Sequence, residues 1–121
     1  MATDLRYFTV DARGRLLDAA EAIARNRSRC VIVVDGDKVT GVISEGDLVR
    51  ALLSGSDIHA PLGPFVQVGF KFLERRDLAR ALELMRVHGI SLVPVLNEAF
   101  ALSDVITLAD VLASVSVNSD A

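Results

Sequence analysis

Cysteine, aromatic residues and excess positive charge are all scarce in this 121-residue sequence. The single cysteine, Cys30, cannot form an internal disulfide, and it begins an apolar run in which a free cysteine usually acts as a small buried hydrophobe. With no Trp, one Tyr and five Phe, the core must rely on Val, Leu, Ile and Ala. The formal net charge of −3 argues against nucleic-acid binding, which needs a basic face to displace counterions from phosphates.

Membrane spans, targeting signals and catalytic motifs are also missing from the sequence. No apolar run has the length of a membrane span, and Met1 to Arg6 contains no apolar signal region. We find no metal-ligand spacing, no Ser–His–Asp arrangement and no Gly-rich phosphate loop. The composition, 51% hydrophobic and 24% charged, is that of a globular protein. We therefore expect a cytoplasmic protein that is not an enzyme, holds no metal and contacts neither membranes nor nucleic acid.

The sequence contains two short apolar runs, each at the centre of a similar pattern. Residues 30–34 and 92–96 are rich in Val, Leu or Ile and are bounded by turn residues, which predicts buried strands. A helical periodicity precedes each run, and a turn, a second strand and a second helix follow it. The second helices are predicted at about 45–53 and 108–114.

The two halves align residue by residue. Residues 19–34 match 81–96 at an offset of 62, and residues 42–44 match 105–107 at an offset of 63. Residues 8–10 and 70–72 also agree and predict a leading strand in each half. We predict an α/β (α+β) fold of two pseudo-symmetric repeats, each a small sheet packed against two helices. The predicted boundaries are 1–55 for the first repeat, 56–64 for a linker, 65–115 for the second repeat and 116–121 for a tail.

A hydroxyl residue followed three positions later by an aspartate closes each repeat. The pairs are Ser44 with Asp47 and Thr107 with Asp110. One interpretation is a helix N-cap with an acidic first turn. The other is a ligand site, because a carboxylate can accept hydrogen bonds from two neighbouring hydroxyls, as on a ribose. Both interpretations are compatible, and repetition at matched positions favours the ligand site.

These patterns resemble a tandem pair of CBS domains, or Bateman module, over about Phe8 to Val115. The stretch from Val33 to Leu52 is similar to the first repeat of pairs attached to sugar nucleotidyltransferases and sugar-phosphate isomerases. The resemblance implies two clefts between the repeats for AMP, ADP, ATP or S-adenosylmethionine, with no cofactor required. One cleft would use Thr107, Asp110, Phe8, Ser28 and Arg29. The other would use Ser44, Asp47, Phe70, Ile90, Ser91 and Pro94.

Basic residues near these positions could hold phosphate. Arg27 and Arg29 are equally consistent with phosphate binding and with a solvated helix end, whereas for Arg25 and His88 we favour helix-end positions, with Gly89 as the cap of the second helix. Arg75 and Arg76 are expected to be exposed. Asp104 stands where the first repeat has Gly41, and its carboxylate would repel a phosphate unless it faces solvent or meets an arginine.

The sequence thus predicts a regulatory module that binds an adenine nucleotide and controls an attached or separate effector enzyme. The resemblance also implies a homodimer formed through helices, and this chain offers the apolar residues Leu48, Leu52, Val111 and Leu112. The alternative is an unliganded structural or dimerisation module of a larger sugar-nucleotide enzyme, with Phe8 and Phe70 filling the clefts.

Overall fold

The computed structural model describes residues 4–119 and contains two similar halves. The first half starts with a short 3-10 helix at Leu5–Phe8. It continues with strand β1 (Thr9–Asp11), helix α1 (Leu16–Asn26), strand β2 (Cys30–Asp35), strand β3 (Lys38–Ser44) and helix α2 (Glu45–Leu53). Its sheet has the order β1-β2-β3, with β1 parallel and β3 antiparallel to β2.

The second half repeats this order after a connection that contains a 3-10 turn at Gly63–Phe65. It comprises helix α3 (Leu78–His88), strand β4 (Leu92–Leu96), strand β5 (Leu102–Thr107) and helix α4 (Leu108–Ser119). β4 and β5 form an antiparallel two-stranded sheet. The predicted fold class, two related units of a small sheet and two helices, is confirmed. Among residues 4–119, each helix is too short or too polar to cross a bilayer.

The helix ends show how local chemistry repeats between the halves. α3 starts at Asp77, whose side chain accepts the Arg80 N–H, and ends at Gly89 in the left-handed region, as predicted. α1 ends at the equivalent position with Arg27, which has a φ of 57° although it is not glycine. The loop after α1 therefore holds a backbone conformation that costs an arginine more than it costs the glycine of the second half.

Strands β2 and β4 are buried on both faces because each sheet lies between its own helices and the other sheet. Val31 and Val33 of β2 pack in the helix-side core of the first half, whereas Ile32 packs in a central core with residues of β4 and β5. In β4, Val93 and Val95 join the second half's helix-side core and Leu92 and Leu96 the central one. Successive strand residues face opposite ways, so two-sided burial explains the uninterrupted apolar runs.

The predicted leading strand at residues 70–72 is wrong. This segment forms only an isolated parallel bridge, Leu73 with Val95. The chain is hydrogen-bonded to β3 at Gln67 and to the β4 strand at Leu73, so the residues between them connect the two sheets and cannot follow one ladder. Phe70 and Phe72 instead pack their rings together, with centroids 5.6 Å apart.

The last helix and two of the predicted interface residues also differ from expectation. α4 continues to Ser119, so residues 116–119 of the predicted tail are helical and residues 120–121 lie outside the described part. Leu48 and Val111 are buried in the helix-side cores of their own repeats and cannot present an apolar face to a partner. Leu52 and Leu112 are exposed as expected.

Candidate functional site

A cavity of about 730 Å³ lies between the two repeats and is lined by residues of both. The first repeat contributes the start of α2, with Ser44, Glu45 and Gly46. The second contributes the last turns of α3 and the loop that follows it. The predicted residues of this cleft that line it are Ser44, Phe70, Ile90, Ser91 and Pro94. The structure therefore brings together the Ser44 hydroxyl of the first repeat and the residues around the start of β4 in the second repeat.

Ser44 is the N-cap of α2, and it shares a reciprocal capping arrangement with Asp47. The Ser44 hydroxyl accepts the Asp47 N–H at 3.1 Å, and Asp47 Oδ2 accepts the Ser44 N–H at 2.8 Å. The Ser44 hydroxyl also lies 2.9 Å from that carboxylate oxygen. The capping interpretation is thus confirmed for this pair, and Ser44 additionally faces the cavity.

Asp47 lies behind Ser44 and does not line the cavity itself. Its carboxylate accepts hydrogen bonds from Gln67 Nε2 at 2.5 Å and from Arg50 at 2.6 Å. Burial raises the pKa of Asp47, but the hydrogen bonds from Ser44, Gln67 and Arg50 outweigh it, and the pKa lies below its usual value. The carboxylate is therefore ionised and bonded within the protein, and a bound hydroxyl would have to compete with Gln67 or Arg50.

Gln67 reaches the cavity because the chain crosses β3 beside Gly41. Gln67 and Val42 exchange two backbone hydrogen bonds, of 2.8 and 3.1 Å, and a Cβ on Gly41 would collide with Val66 and with the Gln67 carbonyl. Gly41 therefore permits a close approach of two backbones. We missed Gln67 from the sequence, and the glycine inside an apolar strand was the signal that could have indicated it.

The other wall of the cavity is formed by the loop between α3 and β4 and by β4 itself. Ile90, Ser91 and Pro94 line it, and the Ser91 hydroxyl donates to the Ser28 carbonyl of the first repeat at 2.6 Å. The Leu108 N–H donates to the Ser91 carbonyl at 2.9 Å, just as the Glu45 N–H donates to the Arg29 carbonyl at 2.9 Å. These matching bonds connect the loop before β2 to the start of α2, and the loop before β4 to the start of α4.

Cations surround this cavity more densely than we expected from the sequence. Among the described residues, the cations Arg29, Lys71 and Arg86 line it together with the imidazole of His88, and Glu45 is the one carboxylate that does. Lys71 and Arg86 were not predicted, and His88 was assigned only to a helix end. Arg86 lies on the same helical stripe as Leu82 and Gly89, so the spacing along α3 was the signal for it.

The second predicted cleft is a smaller cavity of about 270 Å³. Arg27, Ser28, Arg29 and Thr107 line it, but Asp110 and Phe8 do not. Thr107 and Asp110 form the same capping exchange as Ser44 and Asp47, with bonds of 2.9 and 3.1 Å. Phe8 packs against the central core instead, because the chain enters β1 from the side of the other sheet. Arg25 lines neither cavity.

Arg76 is exposed, as expected, and it also bonds to acidic residues near this smaller cavity. Its guanidinium donates to Asp104 at 3.0 Å and to the Val105 carbonyl at 3.3 Å, and it lies 3.6 Å from Asp110. Asp104 thus meets an arginine, one of the two conditions under which its carboxylate is compatible with a nearby anion. Arg76 and Asp104 together occupy the place that Gln67 and Gly41 hold in the first repeat.

The loop 26–30 between α1 and β2 is also held differently from its counterpart. Asn26, equivalent to His88, donates to the Tyr7 and Cys30 carbonyls and accepts the Ser28 N–H at 2.7 Å. Arg29 has a φ of 64°, in the left-handed region that arginine rarely adopts. The side chain of His88 therefore lines the larger cavity, whereas the side chain of Asn26, at the equivalent position, forms hydrogen bonds within the first repeat.

Cys30 lies at the inner end of the larger cavity and is partly buried. Burial raises the pKa of its thiol to about 12, with a smaller contribution from the negative charge of Asp47. The thiol is thus protonated at neutral pH and is a poor nucleophile or metal ligand. Among residues 4–119, no three His, Cys, Asp or Glu side chains cluster closely enough to hold a metal ion.

Comparison with known proteins identifies the architecture. The sequence model of the CBS domain matches residues 1–54 and 73–117. A CBS domain protein from Pyrobaculum aerophilum, complexed with AMP, is similar at 23% identity over 90% of each chain, with a TM-score of 0.74. A CBS domain pair/ACT domain protein from Thermotoga maritima is similar at 20% identity over 91% of this chain and 88% of its own, with a TM-score of 0.73.

A third similar structure is the CBS domain pair of protein MJ0100, in complex with 5-methylthioadenosine and S-adenosyl-L-methionine. It shares 18% identity over 89% of this chain and 90% of its own, with a TM-score of 0.74. No curated protein sequence matches the chain. At these identities the structural likenesses establish the shared fold, and the family match covers both repeats.

Proposed function

The chain belongs to the CBS domain family, and from this membership we propose that it is a regulatory module that binds one adenosyl ligand in its larger cavity. The observation that carries the proposal is the composition of that cavity. Both repeats line it, and it combines an apolar wall at Phe70, Ile90 and Pro94 with the Ser44 hydroxyl and a group of cations. A nucleoside needs such a mixture, because its base is largely apolar on its faces and its ribose and phosphates are polar.

The larger cavity is favoured over the smaller one for three reasons. Its volume, about 730 Å³ against about 270 Å³, falls within the range that small-molecule sites usually have. Ile90, on the side proposed for the base, is apolar, whereas Ser28 stands at the position that matches it in the smaller cavity. Arg76 also holds Asp110 and Asp104 beside the smaller cavity. In this proposal the ribose contacts Ser44, with Asp47 orienting that hydroxyl from behind.

The proposed mechanism of regulation is a population shift. A ligand that touches both repeats stabilises the relative arrangement in which its contacts are complete, and it transmits that preference to an attached or separate enzyme. Two ligands known from similar structures, AMP and S-adenosylmethionine, set the range to test. Attachment to a sugar-phosphate enzyme, the predicted domain boundaries and a cytoplasmic location remain parts of the proposal.

Calorimetric titration of the chain with AMP, ATP and S-adenosylmethionine tests the site. We expect saturable binding of one ligand per chain, lost in Ile90→Trp because the indole fills the larger cavity. Ser28→Trp is the matched variant at the equivalent position in the other repeat, and it should leave this binding in place. Loss of binding in Ser28→Trp alone would move the site to the smaller cavity, and no heat with any ligand would favour an unliganded module.

A dimer of this chain is the second candidate role, and exposed apolar side chains favour it. Val49, Leu52 and Leu53 are exposed on α2, and Leu108, Leu112 and Val115 are exposed on α4. Each set repeats at intervals of three or four residues and so forms an apolar stripe on its helix, with Leu53 the most exposed at 82%, and such stripes mark interaction surfaces. Sedimentation of the chain and of Leu53→Lys tests this role. A dimer that dissociates in the variant supports it, and a monomer at every concentration contradicts it.

A further inference from the structure

The Asp47 carboxylate already has its full set of hydrogen bonds on the oxygen nearest the larger cavity. Its Oδ2 accepts the Ser44 N–H at 2.8 Å and the Gln67 Nε2–H at 2.5 Å, and the Ser44 hydroxyl lies 2.9 Å away as a third donor. Its Oδ1 accepts a hydrogen bond from Arg50 at 2.6 Å. An ionised carboxylate offers about two acceptor positions on each oxygen, so Oδ2 is saturated. A ligand hydroxyl can bond to Oδ2 only when one of these donors leaves.

Gln67 is the donor that can leave at the lowest structural cost. The bonds between Ser44 and Asp47 cap the first turn of α2, and their loss would open the start of the helix. Gln67 comes from the connection between the repeats and is exposed, and two backbone hydrogen bonds fix its main chain to Val42. Its side chain can therefore rotate away while its backbone stays in place. Gln67 lines the cavity whereas Asp47 does not, so rotation of this amide opens Oδ2 to the cavity.

In the described part of the second repeat, the matching aspartate is held by a cation. Asp110 forms the same capping exchange with Thr107, but the side chain that reaches it from the connection is Arg76, at 3.6 Å. Arg76 also pairs with Asp104 at 3.0 Å, so its departure would leave two carboxylates without the positive charge between them. A neutral amide that makes one such bond is easier to displace. Gln67 therefore gives the larger cavity a displaceable group that the smaller cavity does not share.

We propose that Gln67 is an internal competitor of the ligand in the larger cavity, because its amide holds the position on Asp47 that a ligand hydroxyl takes on binding. This inference rests on the proposed function and adds a control of affinity at that site. The ligand exchanges one hydrogen bond to the carboxylate for another, so its hydroxyls add little net affinity while Gln67 is present. A hydrogen bond to a charged group is otherwise worth about tenfold or more in affinity. The protein thus lowers the affinity of its own site and responds at a higher ligand concentration.

Calorimetric titration with AMP and with 2′,3′-dideoxy-AMP, which lacks both ribose hydroxyls, tests this role. Gln67→Ala should bind AMP about tenfold more tightly than the unmodified chain does, whereas its affinity for the dideoxy ligand should change less than about twofold. Val68→Ala is the matched control, because Val68 is the next residue of the same connection, is 77% exposed and does not line the cavity. This variant should keep the affinities of the unmodified chain for both ligands.

A nuclear magnetic resonance titration of the unmodified chain follows the competitor directly. The side-chain amide signal of Gln67, assigned by its absence in Gln67→Ala, should shift on addition of AMP because the amide loses its carboxylate partner. The dideoxy ligand should leave this signal in place. A structural role of Gln67 alone would change the affinities for both ligands equally and would not produce this difference.

The outcomes separate this inference from the proposed function. Unchanged or weaker AMP binding in Gln67→Ala, or an equal gain for both ligands, would overturn the competitor and leave the adenosyl site. AMP binding by Gln67→Ala but not by the unmodified chain would support the competitor in its strongest form. Absence of binding by either ligand to either chain would overturn both.

Discussion

Replacement of Gly41 by alanine should destabilise the protein by about 2 kcal/mol. A Cβ at this position would collide with Val66 Cγ1 and lie 2.6 Å from the Gln67 carbonyl oxygen, which is backbone and cannot rotate away. Overpacking of this kind costs about 1–3 kcal/mol, and the two hydrogen bonds between Val42 and Gln67 would weaken at about 1 kcal/mol each. Reduced freedom of the unfolded chain offsets about 0.4–1 kcal/mol of this cost.

Urea denaturation measures the effect, and Gly63→Ala provides the control. No atom lies within 4 Å of a Cβ built on Gly63, so this variant should stay within about 0.5 kcal/mol of the unmodified chain. With a slope of about 1–3 kcal/mol per molar urea, the Gly41 variant should lower the midpoint by about 1 M. If both alanine variants have the same midpoint, the close crossing of residues 66–67 over the β3 strand is wrong, and so is its role in placing Gln67 at the cavity.

Three further predictions follow from single contacts in the structure. Asp47→Ala should cost about 1–2 kcal/mol at pH 7, and this deficit should begin to shrink in urea titrations as the pH falls below about 4. The pKa of Asp47 is lowered in the folded state, so its contribution is complete above the unfolded pKa and is lost as the pH falls through the folded one. A deficit that is as large at pH 2 as at pH 7 would contradict this. Cys30, whose pKa is raised to about 12, should react with a thiol reagent at pH 8 at least about a hundredfold more slowly in the folded chain than in urea, and equal rates would refute its burial. Arg76→Ala should cost less than about 1 kcal/mol because the ion pairs are partly exposed, and 1 M salt should reduce the deficit by screening Asp104 from Asp110; a deficit that grows with salt would count against these ion pairs.

The larger cavity shows which residues of a site can be predicted from sequence patterns and which cannot. The hydroxyl–aspartate spacing correctly indicated helix caps at Ser44 and Thr107, because a cap is made by residues three positions apart. The resemblance to CBS-domain pairs implied which loop of the other repeat would lie opposite Ser44. Neither pattern indicated Gln67, Lys71 or Arg86, which reach the cavity only through the path of the connection and the rotation of α3.

The repeat itself was determined by the sequence alone. Helices α1 and α3 start and end at positions 62 residues apart, and α2 and α4 start 63 residues apart, which are the offsets of the alignment. Periodic apolar residues, turns and caps act within a few residues of each other, so two similar segments produce similar elements wherever they stand in the chain.

The difference between the two halves was decided by the tertiary structure. Gly41 and Asp104 occupy matching positions in the two repeats. The backbone of residues 66–67 crosses next to Gly41, whereas Arg76 forms an ion pair with Asp104. Phe8 and Phe70 also align and both pack against the central core, but only Phe70 also lines the cavity. These outcomes depend on segments some 20 to 30 residues distant that reach one repeat and not its copy, and no local pattern encodes such a contact.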